Sequence, residues 1–136
     1  MRSTRTFIDS GVLIAAARGG SEQSKRAMNI LDDPSREFAS SPFVKLEVLP
    51  KAIFGRRWHE TEFYNAFFDS VSLWADDLFS IVELANQRAS EIGLSAMDSL
   101  HVAAAISAGA EELITTERAS KPLFRAKEIR IVSIQS

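Results

Sequence analysis

Residues 6–17, TFIDSGVLIAAA, indicate the fold class that the rest of the chain follows. Thr6 to Ile8 are apolar or β-branched and favour a short strand, whereas the residues after Gly11 form an apolar, alanine-rich run typical of a helix. A polar turn that begins at Asp9 joins the two. A strand that enters a helix in this way is the opening unit of an α/β protein.

The same alternation continues along the chain. Further strands are predicted at residues 37–39, 78–82, 113–115 and 129–132, and further helices at residues 24–31, 42–53, 59–75, 83–92 and 96–108. The helix that starts at Pro42 has Ser41 as its N-cap and should be kinked or shortened by Pro50. Alternating strands and helices predict a parallel sheet covered on both faces, with functional sites at the carboxyl ends of the strands.

Bulk composition limits the class of protein further. A chain of 136 residues with 46% hydrophobic and 25% charged residues predicts one domain, spanning residues 1–136. The absence of cysteine excludes disulfides and thiolate chemistry, and no segment resembles a signal peptide or a membrane span, so we expect a cytoplasmic protein. The formal net charge of −2 argues against tight, autonomous nucleic-acid binding but allows a transient substrate held partly by metal ions.

Four acidic residues occupy positions of functional interest. Asp9 and Glu117 follow predicted strands, Asp98 lies in the first turn of a helix, and Glu47 lies inside a helix among apolar residues. Two carboxylates about 5 Å apart repel by roughly 3 kcal/mol at an effective dielectric constant near 20, so a cluster of them would favour a bound cation. Oxygen ligands without histidine or cysteine suit Mg²⁺ or Mn²⁺.

Each acid also has an ordinary structural interpretation. Asp9 could cap the following helix, and Asp98 could stabilise the first turn of its own helix. Glu47 could pair with Lys51 one turn later, and Glu117 could be an exposed loop residue. The position of each acid, taken singly, leaves both interpretations open.

Four segments together resemble the motifs of PIN-domain nucleases. They are Phe7-Ile8-Asp9-Ser10-Gly11-Val12-Leu13-Ile14, Lys45-Leu46-Glu47-Val48, Ala96-Met97-Asp98-Ser99-Leu100-His101-Val102-Ala103-Ala104-Ala105 and Leu113-Ile114-Thr115-Thr116-Glu117. Their order and separation fit the family over nearly the whole chain, and the third segment is the most specific.

This resemblance implies a fold, a reaction and its partners. The fold would be a three-layer α/β/α sandwich with a central, mainly parallel sheet of about five strands. The activity would be that of a Mg²⁺- or Mn²⁺-dependent endoribonuclease, as in VapC-type toxins, with RNA as substrate, an antitoxin protein as partner and a homodimer as the assembly. The residues carried over are Asp9, Glu47 and Asp98 as metal ligands, Glu117 as the fourth catalytic acid, Ser10 as the group that orients Asp9 or a bound water, and Thr115 as a support of the site.

Two residues complicate the resemblance. The family usually has aspartate at the fourth acid, and the extra methylene of Glu117 moves the carboxylate by roughly 1.5 Å, which is enough to disturb a tightly held metal site. The alternative function is therefore a weak or inactive PIN-like module that binds RNA or a protein. His101 lies on an alanine-rich helix, and we expect it to be a core residue rather than a general base.

Basic and aromatic residues suggest where partners would bind. Two basic groups follow proposed site acids, namely Lys51, Arg56, Arg57 and His59, and Arg118, Lys121, Arg125 and Lys127. Each group could contact RNA phosphates or be ordinary solvated surface. Trp58, Phe63 and Trp74 could form a partner interface, although core packing is the usual role of such side chains.

Overall fold

The computed structural model of the chain describes residues 2–135. In chain order its elements are β1 (Thr4–Ile8), α1 (Ser10–Arg18), α2 (Glu22–Leu31), β2 (Arg36–Ser40), α3 (Pro42–Phe54), α4 (Trp58–Ser70), β3 (Leu73–Trp74), α5 (Leu78–Ile92), α6 (Ala96–Ser107), β4 (Glu112–Thr115) and β5 (Arg130–Ser133), with a short 3₁₀ helix at Pro122–Arg125.

The five strands form one sheet in the order β3-β2-β1-β4-β5, and every neighbouring pair is parallel. This confirms the predicted α/β fold class and its sheet. The central strands β1 and β4 each carry two consecutive apolar residues, which face opposite sides of the sheet and are both buried because helices cover both faces. Phe7 and Ile8 of β1 and Leu113 and Ile114 of β4 are accordingly fully buried.

The order of the strands explains where the helices lie and where a site can form. The chain moves outward from β1 to β2 and β3, then returns to the other side of β1 to form β4. Right-handed crossovers therefore place α1 to α4 on one face of the sheet and α5 and α6 on the other. Helices α1, α3 and α4 contact one another, and α5 packs against α6. The reversal leaves a crevice at the carboxyl ends of β1 and β4, the usual ligand position in such sheets.

The strand predicted at residues 78–82 is wrong, because this segment forms the start of α5. Asp77 caps the helix through a side-chain oxygen that accepts from the backbone N–H of Ser80 at 3.4 Å. Within the segment Ile81 is 1% exposed, but Phe79 is 76% exposed. One buried position per helical turn is the pattern of a surface helix rather than of a buried strand.

One helix prediction also needs correction, and in a second helix, found close to its predicted bounds, Pro50 does not cause the shortening that was expected. The helix predicted for residues 59–75 ends at Ser70, and the residues after it supply the short edge strand β3. Helix α3 continues past Pro50 to Phe54. A proline inside a helix leaves the carbonyl four residues earlier without its donor. Here that carbonyl belongs to Leu46, which is 68% exposed, so water can solvate it.

None of the helices within residues 2–135 combines the length and the hydrophobicity that crossing a bilayer requires.

Candidate functional site

Asp9 lies at the crevice between β1 and β4, and both of its carboxylate oxygens are held. Oδ1 accepts from the backbone N–H of Ser10, the first residue of α1, at 2.8 Å, and Oδ2 accepts from the Thr115 hydroxyl at 2.8 Å. The backbone N–H of Asp9 donates to the carbonyl of Ile114 at 3.0 Å, which continues the β1–β4 ladder. Asp9 therefore caps α1 and also presents a carboxylate, 14% exposed, to the crevice.

Thr115 connects two of the predicted site acids. Its side chain is fully buried at the end of β4. While its hydroxyl donates to Asp9, its oxygen accepts from the backbone N–H of Glu117 at 3.1 Å. One hydroxyl thus fixes both the carboxylate of Asp9 and the backbone at Glu117, whose side chain is half-buried.

Glu47 reaches the same region from α3. Its Oε1 atom accepts from the Ser10 hydroxyl at 2.5 Å and lies 2.5 Å from Nε2 of His101. The hydrogen bond from His101 lowers the pKa of Glu47; burial opposes this effect, while the Ser10 hydroxyl and the charges of His101 and Lys51 add to it. Leu46, which was expected to give Glu47 apolar surroundings, is 68% exposed, and Glu47 itself remains 34% exposed.

Ser10 contacts Asp9, one of the groups it was expected to orient, through its backbone and not through its hydroxyl. Its backbone N–H bonds to Asp9, as described, but the hydroxyl donates to Glu47. Ser10 is the first residue of α1, and the carboxylate of Asp9 already accepts from its backbone N–H. The hydroxyl of Ser10 is therefore available to Glu47. Ser10 therefore links two acids that are 38 positions apart in the chain.

His101 belongs to the site, although the sequence indicated only a core residue. It is 3% exposed, and its Nε2 atom lies 2.5 Å from Glu47 and 3.9 Å from Oδ1 of Asp9. Burial opposes a charge on the ring, yet the hydrogen bond that His101 donates to Glu47 and the charges of Asp9, Glu47 and Asp98 raise the pKa of His101. The sequence did hold a signal, because residues three apart share one face of a helix and His101 follows Asp98 at that spacing.

Asp98 lies at the start of α6, where its backbone N–H donates to the hydroxyl of the N-cap Ser95 at 3.2 Å. Its carboxylate is half-buried. Burial raises the pKa of Asp98, and the negative charges of Asp9 and Glu117 raise it further. The end of β1, the start of α6 and the segment after β4 therefore bring three carboxylates within interacting distance.

Some of the basic residues that were considered as phosphate contacts are bound to other groups. Among residues 2–135, the only cationic partner within 4 Å of the four acids is His101. Arg57 and Lys51 line a narrow cavity with Glu47, and Arg57 lies 3.8 Å from Glu60. Arg125 donates to the carbonyl of Ile92 at 3.0 Å and so stabilises the end of α5.

A divalent cation fits the chemistry of these donors. Carboxylate oxygens are the ligands that Mg²⁺ and Mn²⁺ prefer, and the mutual repulsion that raises the pKa of Asp98 is what a bound cation relieves. In their present positions, however, no three His, Asp or Glu side chains of residues 2–135 form a complete metal site. Coordination by Asp9, Glu47 and Asp98 stays a prediction.

The family is decided by a comparison with protein-family models. The model of the PIN domain matches residues 6–122. The chain belongs to the PIN domain family. PIN domains include nucleases, so the membership implies hydrolysis of nucleic acid as the general activity.

Solved structures of PIN-like fold align with almost the whole chain. A chain of a toxin–antitoxin complex from Klebsiella pneumoniae aligns with a TM-score of 0.72 at 19% identity, covering 95% of this chain and 97% of that one. A chain of VapBC2 from Rickettsia felis, bound to a DNA fragment from their promoter, aligns with a TM-score of 0.68 at 14% identity, covering 96% and 98%. A chain of FitAcB from Neisseria gonorrhoeae gives 0.64 at 16% identity, covering 95% and 97%. Among curated proteins, no sequence matches.

Proposed function

We propose that this PIN domain is an endoribonuclease that depends on Mg²⁺ or Mn²⁺. The observation that supports it most is the grouping of Asp98, at the start of α6, with Asp9 and Glu117 at the carboxyl ends of β1 and β4, where burial and then the charges of Asp9 and Glu117 raise the pKa of Asp98. A structural role does not need three carboxylates close enough to repel one another. A site that binds a cation and a polyanionic substrate does.

Asp9, Glu47 and Asp98 would hold the ion. When bound, a divalent cation supplies the positive charge that activates water and stabilises the charge that develops on a phosphodiester. The protein's own part is to keep its oxygens in place. Thr115 and the backbone of Ser10 hold the Asp9 carboxylate, and the same threonine fixes the chain at Glu117.

The substrate would extend from these acids toward a cleft that they do not line but that Gly11 and Thr116, close to Asp9 and Glu117 in the chain, do. A cleft of about 450 Å³ is lined by residues of α1, including Gly11 and Arg18, and by Thr116. Arg118 and Lys121 follow Glu117 and are exposed. A single RNA strand could place its phosphates between these cations and the acids, although the net charge of −2 predicts weak binding without metal.

We further propose that the chain is the toxin of a toxin–antitoxin pair and forms a homodimer. The solved structures that share its fold come from complexes of this kind, which supports an antitoxin partner. The surface also carries large apolar side chains that a partner could cover: Phe54 is 92% exposed and Trp58 is 57% exposed. Of the other aromatic residues considered for an interface, Phe63 packs against the core.

RNA cleavage tests the proposed activity. Purified protein is incubated with single-stranded RNA in Mg²⁺, in Mn²⁺ and in excess EDTA. We expect cleavage with either metal, none in EDTA, and none with Asp9→Asn, while the exposed Asp69→Asn on α4 serves as the matched control and cleaves normally. Cleavage that survives EDTA or Asp9→Asn would contradict the proposal.

The alternative function is a PIN module that binds RNA or a protein without cleaving. Glu117 favours it, because a longer side chain stands where the family usually has aspartate. Glu117→Asp separates the two functions. If the chain is a weak enzyme limited by this residue, the substitution increases metal-dependent cleavage; if it is a binding module, cleavage remains absent while RNA or protein binding persists.

A further inference from the structure

Glu47 differs from the other acids in how it is held. The Asp9 carboxylate is held at the end of β1 by Thr115 and the backbone N–H of Ser10, whereas the bonds of Asp98 and Glu117 are made by their backbone N–H groups, on short local segments. Glu47 instead extends from the surface helix α3 on a longer side chain that is 34% exposed. Its carboxylate has to be positioned by contacts from other elements.

Two donors from two other elements supply these contacts, and both act on one oxygen. The Ser10 hydroxyl comes from α1 and the His101 ring comes from α6, and each meets Oε1 of Glu47 at 2.5 Å. Within residues 2–135, Oε2 takes part in no hydrogen bond or ion pair. One oxygen of the carboxylate is thus committed to the protein and the other is free for a ligand.

The two donors are themselves well fixed. Ser10 is 7% exposed and His101 is 3% exposed, and the His101 ring lies 6.3 Å from the ring of Phe7, between the centroids. Each donor is also close in sequence to another site acid, since Ser10 follows Asp9 and His101 lies one helical turn after Asp98. Any contact that fixes Glu47 to these donors therefore fixes it relative to Asp9 and Asp98.

From this geometry we infer that His101, assisted by Ser10, is a positioning residue that locks Oε1 of Glu47 and leaves Oε2 as the single oxygen offered to a divalent cation. The inference rests on the proposed metal-dependent function. His101 acts through Glu47 and does not itself contact the ion or the substrate. Nε2 carries the proton that is donated to the carboxylate, and Nδ1, which is buried, has no hydrogen-bond partner among residues 2–135.

Mn²⁺ titration followed by electron paramagnetic resonance tests this role without reference to catalysis. Loss of a hydrogen-bonding group behind a metal ligand typically weakens metal affinity by about 10- to 100-fold, and we expect this for His101→Leu. His101→Gln keeps an N–H donor near the position of Nε2 and should restore most of the affinity. Ser10→Ala should weaken binding in the same direction, whereas Ser90→Ala, at an exposed serine of α5, should leave it unchanged.

A double-mutant cycle distinguishes positioning from a general structural effect. In a Glu47→Gln background His101 has no carboxylate to position, so adding His101→Leu should change the Mn²⁺ dissociation constant by less than about twofold. Equal weakening in both backgrounds would overturn the inference, and so would wild-type affinity in His101→Leu. Circular dichroism checks that the variants are folded, and if His101→Leu is not, the same cycle is run with Ser10→Ala.

Failure of the inference is distinguishable from failure of the proposed function. If the wild type binds Mn²⁺ and His101→Leu binds it equally well, only the positioning role is wrong. If the wild type binds no Mn²⁺, the metal-dependent function is wrong and the inference falls with it.

Discussion

Thr115 offers a sharp test of how the site is built, because one hydroxyl holds two site residues. Its side chain is fully buried, donates to Oδ2 of Asp9 at 2.8 Å and accepts from the backbone N–H of Glu117 at 3.1 Å. Thr115→Val removes the hydroxyl and keeps the shape of the side chain. Thr115→Ser removes a methyl group and keeps the hydroxyl.

The two substitutions should differ in cost. A hydrogen bond to a charged group contributes about 1.5–3 kcal/mol, and a partly buried backbone donor that loses its acceptor adds up to about 1 kcal/mol. Thr115→Val should therefore lower the free energy of unfolding by about 1.5–4 kcal/mol, whereas Thr115→Ser should cost about 1 kcal/mol for the buried methyl. Asp9 also keeps only its bond from the Ser10 backbone in Thr115→Val, so Mn²⁺ binding should weaken in this variant and not in Thr115→Ser.

Urea unfolding followed by circular dichroism, in EDTA, measures these free energies. Thr61→Val is a matched control, because the Thr61 hydroxyl donates to the carbonyl of Arg57 on the exposed side of α4. It should change the free energy of unfolding by no more than about 0.5 kcal/mol. Thr115→Val that is as stable as wild type, or Thr115→Ser that loses as much as Thr115→Val, would refute the role given to the hydroxyl.

Two further predictions concern the same crevice. The pKa of Asp98 is raised in the folded protein, so its contribution to stability is greatest below the unfolded pKa of about 3.9 and is lost as pH rises through the folded pKa. In EDTA, Asp98→Asn should therefore raise the thermal stability of the protein at neutral pH and give no gain near pH 3. A loss of thermal stability at neutral pH would contradict this. Alanine is usually favoured over glycine inside a helix by about 1 kcal/mol, but a Cβ on Gly11 would stand 2.4 Å from the hydroxyl oxygen of Thr116. Gly11→Ala should therefore lower stability by about 1–3 kcal/mol in urea unfolding and displace the segment that leads to Glu117, and a net gain in stability would show that this contact is absent.

The sheet and the ends of several helices follow from local chemistry and were predictable. Alternating elements specify a parallel sheet, and Ser41 with Pro42 and Ser95 start their helices where their side chains cap the backbone. The general position of functional sites at the carboxyl ends of parallel strands also placed Asp9 at the crevice correctly. These features depend on interactions within a few residues, or on the general geometry of parallel sheets.

The errors arose where distant residues decide the structure. The apolar segment 78–82 is compatible with a strand or a helix, and only the packing of the folded chain shows that Ile81 alone is buried deeply. His101 was expected to be a core residue, which its burial supports, but its contact with Glu47 joins residues 54 positions apart. The hydroxyl of Ser10 likewise meets Glu47 rather than Asp9, because α3 brings the longer carboxylate within its reach.

Binding of Mn²⁺ by the metal-free protein, measured by isothermal titration calorimetry, addresses the proposed site most directly. Saturable binding to the wild type that is lost in Asp9→Asn and in Asp98→Asn, with both variants folded, is the predicted result. No binding to the wild type, or binding that both substitutions leave unchanged, would contradict the proposal that these acids hold a divalent cation.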